Sequence, residues 1–237
     1  MNKTFNKFVT IVFLLLGGVL PGCNTSDEGE PIVEQPAEPG FGNSTEDTEG
    51  IPFQLPSGIT LVGNQVHTPD FCLTPDELIN LLVLPTREKI LGTPGFFIVC
   101  VTFTNSTSNP ITIKCPAGIT FIAERDENER PKGQNGITVS DVFITISAGL
   151  TQSFLLDVYC LNSSRTRPAM ETSFSVGPVT ENKEIKKLIE MLKDKNIRND
   201  QVGENWAIPS TVIQTAVWNI ADNNEISETT LADLGKL

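Results

Sequence analysis

Among the side chains most often used for nucleophilic or metal-binding chemistry, this chain has one histidine and five cysteines. His67 lies beside Thr68-Pro69 without a neighbouring serine or cysteine nucleophile. One imidazole cannot form a histidine-rich metal site, and the absence of C-x-x-C spacing disfavours zinc and thioredoxin-like chemistry. No glycine-rich phosphate loop follows a strand. These patterns predict no metal, no cofactor and no catalytic residue, so we expect a protein that is not an enzyme.

The stretch VIQTAVWNIADN at 212–223 combines helical periodicity with two side chains that the periodicity does not explain. Apolar residues recur at i, i+3, i+4 and i+7, as one buried helix face requires; these residues are Ile213, Ala216, Val217 and Ile220. Gln214 and Trp218 are four residues apart and are expected to stack on a flank beside that face. Ser210 is the expected N-cap of this helix.

The N-terminus has the pattern of a secretory signal that ends in a lipidated cysteine. Lys3 and Lys7 precede an apolar run from Phe8 to Leu20, which is shorter than the about 20 residues that span a bilayer. The segment Leu20-Pro21-Gly22-Cys23 resembles the lipobox of bacterial lipoproteins. Residues 1–23 are therefore predicted to be a lipoprotein signal peptide ending in acylated Cys23, a lipid anchor to the membrane; the alternative is an ordinary signal peptide with an incidental cysteine.

Residues 24–58 are predicted to be a disordered tether. This segment contains eight acidic residues, five prolines and no lysine or arginine, so it has little apolar surface to offset its ordering entropy. Ser26-Asp27-Glu28, directly after Cys23, resembles an acidic signal that directs some lipoproteins to the outer face of the outer membrane. We expect a location on the bacterial outer membrane, facing the surroundings of the cell.

The charge of the chain is strongly acidic. The net charge is −12, and removal of residues 1–23, which contain two lysines and no acidic residue, would make it −14. Nucleic-acid binding requires basic clusters for the phosphates, so no nucleic-acid partner is expected.

Short strand-like segments separated by Gly, Pro and Asn dominate the middle of the chain. They occur at 95–105, 111–118, 118–124, 137–149, 150–162 and 171–178. This spacing favours an antiparallel Ig-like β-sandwich over residues 59–178, in a fold that is mainly β with α. Residues 105–110 are predicted to join two strands as a hairpin. In 142–146, apolar residues alternate with Phe143 and Thr145, as in a strand with one buried face.

Helical patterns flank the predicted strands. Residues 74–85 are predicted to form a short helix with Thr74 as N-cap. Residues 181–197 have an apolar stripe of Ile185, Leu188, Ile189 and Leu192, a polar loop follows at 198–209, and residues 227–237 complete the chain with a last short helix. We expect two or three C-terminal helices, within 179–237, to form a cap on the sandwich.

Four cysteines remain after lipidation, namely Cys72, Cys100, Cys115 and Cys160. An exported protein meets an oxidising compartment, so one disulfide and buried free thiols are both consistent with the sequence. In the predicted hairpin, Cys100 and Cys115 would point to opposite faces, which argues against a bond between them.

"VYCLN" at 158–162 together with "IQTAVWNIADN" at 213–223 resembles the thioester domains of bacterial surface adhesins. The resemblance implies that Cys160 is the thiol and Gln214 the acyl donor of an internal thioester, with Ala216 and Trp218 as packing positions of a TQxAxW-like motif. The thiolate would add to the carboxamide and expel ammonia, in an apolar pocket walled by Trp218 or Trp206. Ile213 stands where the family usually has threonine. The alternative is that Gln214 only hydrogen-bonds a loop and Trp218 fills the interface between sheet and helices.

Three functions follow from these patterns. The first is a surface-tethered lipoprotein that acts as a non-enzymatic binding or adhesion module, with a host protein, surface protein or polysaccharide as partner. The second is a covalent adhesin with a Cys160–Gln214 thioester, which a lysine amine of the partner would attack. The third is a carbohydrate-active lipoprotein that uses loop carboxylates within 125–130.

Overall fold

The computed structural model describes residues 38–83 and 87–237. The predicted signal peptide, Cys23 and residues 24–37 of the predicted tether lie outside the described residues. The strands are β1 (Gly50–Ile51), β2 (Ile59–Leu61), β3 (Val66–His67), β4 (Ile90–Leu91), β5 (Phe97–Asn105), β6 (Ile111–Cys115), β7 (Ile119–Ala123), β8 (Gly136–Ile137), β9 (Val142–Ile146), β10 (Thr151–Cys160) and β11 (Ser173–Thr180). The helices are α1 (Pro75–Val83), α2 (Lys183–Leu192), α3 (Asn199–Val202), α4 (Ala207–Asn223) and α5 (Glu228–Leu234).

Six antiparallel strands form a closed barrel in the order β5-β3-β11-β7-β8-β10. The ring closes because β10 pairs with β5 over a long register, from Thr151–Thr104 to Val158–Phe97. Closure gives each of the six strands a partner on both sides over part of its length, which shortens the unpaired edges. The expected mainly β fold with C-terminal helices is confirmed. The predicted Ig-like sandwich would have two separate sheets that face each other. These strands form a ring instead, because β10 pairs with β8 on one side and with β5 on the other.

The predicted hairpin through 105–110 is wrong. β5 lies in the barrel, whereas β6 pairs with β9 in a separate two-stranded ribbon. The chain turns out of the barrel at Asn105, whose Nδ2 donates to Asn109 O at 2.8 Å and to Ile146 O at 3.0 Å. The Asn105 side chain therefore bonds to the ribbon and fixes the corner at which the chain leaves the barrel.

The barrel interior and the inner face of the ribbon share one apolar core. Val142, Ile144 and Ile146 of β9 are buried in this core, while Phe143 between them is 60% exposed. The predicted alternation in this strand is confirmed, because successive side chains of a strand point to opposite faces.

A second core joins the barrel to the C-terminal helices. Tyr159 of β10 and Leu161, which directly follows that strand, pack with the buried stripe of α2 and with Ile213 and Val217 of α4. Asn182 caps α2 by accepting from the backbone N–H groups of Glu184 and Ile185, so the helix begins two residues later than predicted. The expected helical cap is thus attached to the barrel through the β10 end.

α4 begins at Ala207, three residues before the predicted N-cap Ser210. Ser210 is instead buried in the helix, where its hydroxyl donates to Gly95 O at 2.8 Å. The predicted polar loop at 198–209 contains α3 and a 3-10 turn, Gly203–Trp206. These short helical turns connect α2 to α4.

Residues 38–58 of the predicted tether pack on the domain, so the tether prediction is corrected for this part. Phe41 is 1% exposed within the helical core, and β1 pairs with β11. Asn162 Nδ2 also donates to Gly40 O at 3.1 Å and Gly42 O at 3.0 Å. The acidic composition of the segment predicts disorder because composition does not register the few apolar contacts and backbone hydrogen bonds that hold residues 38–58 on the domain.

A disulfide joins Cys72 to Cys100 across 28 residues, and Cys115 and Cys160 are buried free cysteines. The expectation that Cys100 and Cys115 are not bonded to each other is confirmed. The disulfide fixes the segment before α1 to the barrel strand β5. Within the described residues, no helix has the length and apolar character needed to cross a membrane.

Candidate functional site

The C-terminal end of β10, which includes Cys160, extends beyond Phe97, the first residue of its antiparallel neighbour β5. In an antiparallel pair, the N–H and C=O of one residue point to the same side, and successive residues alternate between sides. Phe96 N donates to Val158 O at 2.8 Å, so Val158 faces β5. Cys160, two residues further, faces the same side, but the register with β5 ends at Phe97–Val158. The backbone of Cys160 therefore needs a partner that β5 does not supply.

The carboxamide of Gln214 supplies that partner. Cys160 N donates to Gln214 Oε1 at 2.8 Å, and Gln214 Nε2 donates to Cys160 O at 2.9 Å. The two bonds reproduce the pair that a neighbouring strand would make, so one side chain of α4 extends the ladder of β10. Gln214 is 1% exposed and Cys160 is 0% exposed. The two residues that the sequence resemblance implied are thus in direct contact, 54 positions apart, and Gln214 is buried rather than on a flank.

The arrangement polarises the Gln214 carbonyl. A backbone N–H at hydrogen-bond distance stabilises negative charge that develops on a carboxamide oxygen during acyl transfer, as in an oxyanion hole. The second bond holds the amide nitrogen on the opposite side. The geometry therefore fixes one orientation of the carboxamide against the residue that carries the thiol.

The thiol itself is kept protonated. Burial raises the pKa of Cys160 to about 12, and the positive charge of Arg167 opposes this rise only in part. A thiol is a nucleophile as its thiolate, so free Cys160 reacts slowly with reagents from solvent at neutral pH. Any acyl transfer at this site depends on proximity to Gln214 rather than on an acidic thiol.

An aromatic and cationic layer lies beside the pair. The Phe96 and Trp218 rings meet edge to face at 5.3 Å, and the Arg167 guanidinium lies 3.8 Å from the centre of the Phe96 ring. Trp218 Nε1 is buried without a hydrogen-bond partner within the described residues. Trp218 thus occupies the position one helical turn after Gln214 that the sequence predicted. Phe96 and Arg167 have no periodicity or motif that could have identified them.

The loop 92–96 that carries Phe96 is anchored at several points. Tyr159 Oη donates to Pro94 O at 2.7 Å, and Ser210 binds Gly95 O. A Cβ atom at Gly95 would lie 2.5 Å from Val158 N and O, so only glycine allows this close approach. The loop is consequently held against β10 and α4 together.

A buried charged cluster lies next to this loop. Asp157 is buried; its carboxylate pairs with Arg87 and accepts from Asn199 Nδ2 at 2.7 Å. Burial raises the pKa of Asp157 to about 6, and the charge of Arg87 is the largest opposing influence. The Arg87 guanidinium lies 4.5 Å from the centre of the Trp206 ring. Trp206 therefore packs on this cluster, while Trp218 is the tryptophan that contacts Phe96.

The other sequence candidates have structural partners. Ala216 is buried in the helical core, as a packing position requires. His67 stacks on Phe71 at 3.8 Å, and its Nδ1 lies 3.2 Å from Ser173 Oγ. In the described part of the chain, no group of three His, Cys, Asp or Glu side chains could hold a metal ion.

The carboxylates of loop 125–130 belong to an exposed turn. Asp126 accepts from the backbone N–H groups of Asn128 and Arg130 and forms a salt bridge with the Arg130 side chain at 3.1 Å. The backbone bond from Arg130 is the main influence that lowers the pKa of Asp126. A glycosidase acid needs a raised pKa, so the environment of Asp126 does not suit that role.

Comparison of the chain with protein-family models, with curated proteins and with solved structures gave no match.

Proposed function

We propose that this chain is a surface-tethered, non-enzymatic binding module whose Cys160 and Gln214 form an internal thioester for covalent attachment to a partner. The observation that carries the proposal is the double hydrogen bond between the Gln214 carboxamide and the backbone of Cys160 in a buried site. The contact supports the resemblance to thioester adhesins, which rests on the residues of 213–223 and 158–162.

The bond would form by acyl transfer. The Cys160 thiol adds to Gln214 Cδ, the C–N bond breaks, and the thiol proton leaves with the amide nitrogen as ammonia. Cys160 N–H would remain on the Gln214 carbonyl oxygen throughout. A partner amine would later attack the same carbon, break the C–S bond, form an amide and regenerate the thiol. The aromatic layer of Phe96 and Trp218 would limit hydrolysis by keeping water away.

The partner and location belong to the same proposal. Acylated Cys23 would anchor the chain to the outer membrane, and residues 24–37 would separate the domain from the lipid. A host protein, a surface protein or a polysaccharide that carries amines would be the partner. If the fold is compared with an Ig-like sandwich, the β6–β9 ribbon would correspond to the second sheet, because it shares one core with the barrel.

A non-covalent binding module is the second candidate. It is favoured by the observation that both polar atoms of the Gln214 amide already have backbone partners. In that case Gln214 joins α4 to the sheet end and has no chemical role. The two candidates share the same fold and tether, and differ in one covalent bond.

Intact mass separates the two candidates. The chain from residue 24 onward is expected to be lighter than its calculated mass by roughly 17 Da, beyond the roughly 2 Da lost in the disulfide, because one ammonia leaves. Methylamine should then raise the mass by about 31 Da. The Cys160→Ala variant is the control and should have neither change. A wild-type chain with its full amide mass and a Cys160 thiol that iodoacetamide modifies after denaturation would refute the thioester.

The lipid anchor has a separate test. Cys23→Ala should release the protein from membranes into the soluble fraction, with Cys160→Ala as the matched cysteine control that stays membrane-bound. Retention of the Cys23→Ala protein on membranes would contradict lipidation at this position.

A further inference from the structure

An apolar cavity of about 290 Å³ opens from the core of the barrel and is separate from the Cys160–Gln214 pair. Its inner wall is formed by buried core residues, namely Val101, Phe103, Cys115, Ile119, Phe121 and Leu156. These side chains come from β5, β6, β7 and β10, so the cavity lies where the barrel and the ribbon meet.

Half-buried apolar side chains form the mouth. Phe53 and Leu55 come from the segment between β1 and β2, Leu61 ends β2, and Val176 comes from β11. Protein interiors are close-packed, with few voids larger than a water molecule. A cavity of this volume with buried apolar walls and half-exposed apolar side chains at its mouth is a site that an apolar molecule can fill.

The polar groups at the cavity are few and uncharged. Asn64 and Ser175 are exposed residues of its lining, and no charged side chain belongs to the lining within the described residues. Gly63 and Asn64 both have left-handed backbones, with φ of 67° and 55°, which turn the chain at the mouth after β2. A charged head group of either sign would find no counter-ion in this lining, and an anionic one would also meet a strongly acidic protein, so the ligand that fits is uncharged.

The volume sets the size of the ligand. A dry cavity of about 150 Å³ lined by Leu, Ile and Phe accepts benzene. This cavity has nearly twice that volume, which corresponds to roughly twelve carbon atoms. We propose that the barrel cavity binds one uncharged alkyl chain of about twelve carbons, with its hydroxyl or other neutral polar head at the Asn64 and Ser175 side chains.

The test uses 1-alkanols of six to fourteen carbons, each below its solubility limit, on the full chain from residue 24 onward without lipid. Displacement of fluorescent 1-aminonaphthalene measures affinity. Each added CH₂ should tighten binding about fourfold, from about 0.8 kcal/mol per buried CH₂, until the cavity is full near twelve carbons. Longer chains should gain nothing further.

Two variants fill the cavity from different sides. Val176→Trp at the mouth and Cys115→Leu in the wall should each weaken decanol binding at least tenfold. Val62→Trp, an exposed valine outside the lining that is 44% exposed, is the matched control and should bind as the wild type does.

Absence of saturable decanol binding to the wild type would overturn the proposal. Affinity that keeps rising through tetradecanol, with no loss in the two filling variants, would also overturn it, because it would indicate non-specific surface binding. If a filling variant does not fold, the chain-length limit in the wild type still decides the question. This proposal does not depend on the thioester.

Discussion

Replacement of Gln214 by leucine tests whether its carboxamide completes the sheet at Cys160. Leucine keeps a similar volume but removes both hydrogen bonds, and it leaves the N–H and C=O of Cys160 buried without partners. The substitution should be made in a Cys160→Ala background, which keeps the backbone groups and prevents any thioester from contributing.

The expected cost follows from the two orphaned groups. An unsatisfied buried donor or acceptor costs about 1–3 kcal/mol, so the Gln214→Leu change should lower the free energy of unfolding by about 2–6 kcal/mol. This is a large share of the about 5–15 kcal/mol that stabilises a typical domain. With a urea m-value of about 2 kcal/mol/M, the unfolding midpoint should fall by about 1–3 M.

Gln134→Leu in the same background is the matched control. Gln134 is also buried, at 3% exposed, but its Nε2 makes one bond to Arg165 O at 2.8 Å and its Oε1 has no partner. Leucine there removes one bond together with one unsatisfied oxygen, and the Arg165 carbonyl that loses its donor is only partly buried, so the net cost should be about 0–1 kcal/mol. Urea unfolding followed by circular dichroism gives both values. If Gln214→Leu costs no more than Gln134→Leu, the amide does not act as the missing strand partner.

Three further predictions concern the surroundings of the site. Burial raises the folded-state pKa of Asp157 to about 6 from 3.8, so its contribution to stability is present below pH 3.8 and is lost as pH rises through about 6. The free energy of unfolding, measured with urea between pH 3.5 and 7, should therefore fall by an amount on the order of 3 kcal/mol. Asp157→Asn should remove this fall, and a variant with the same pH profile as the wild type would refute the prediction. Serine at both Cys72 and Cys100, which opens a cross-link over 28 residues, should cost about 3.5 kcal/mol in the same assay; a cost near zero would contradict a stabilising disulfide. Gly95→Ala should lower the free energy of unfolding by about 1–3 kcal/mol, because its Cβ would overlap the facing strand. In the control Gly235→Ala the added Cβ has its nearest contact at 3.3 Å, so the free energy of unfolding should change little. Equal melting temperatures for the two variants would count against the close approach at Gly95.

The contact between Cys160 and Gln214 could be suggested from the sequence only through resemblance to a family motif. Helical periodicity identified Ile213 and Ala216 as buried and left Gln214 on a flank, because a pattern of apolar and polar residues treats glutamine as a surface residue. Gln214 is buried because β5 ends before Cys160 and leaves two backbone groups to be satisfied. That requirement arises from strand register, which no local pattern specifies.

The burial of Asp157 has a local signal in the sequence. Asp157 is the single carboxylate of the run FLLDVYC, from Phe154 to Cys160, whose other residues are apolar or aromatic. A charge buried in such a strand needs a partner, and this would have predicted a buried ion pair. The partner itself, Arg87, is 70 positions away and has no motif.

The sequence by itself determined the local elements whose side-chain period is intrinsic to the backbone. The alternation in β9 and the apolar stripe of α2 follow from periods of two and 3.6 residues, which neighbours along the chain define. Only the tertiary structure decided that β5 and β10 close a barrel, that Cys72 bonds Cys100, and that residues 38–58 pack on the domain. These contacts join distant segments, and each depends on where the other strands end, so their partners become defined only when the whole chain has folded.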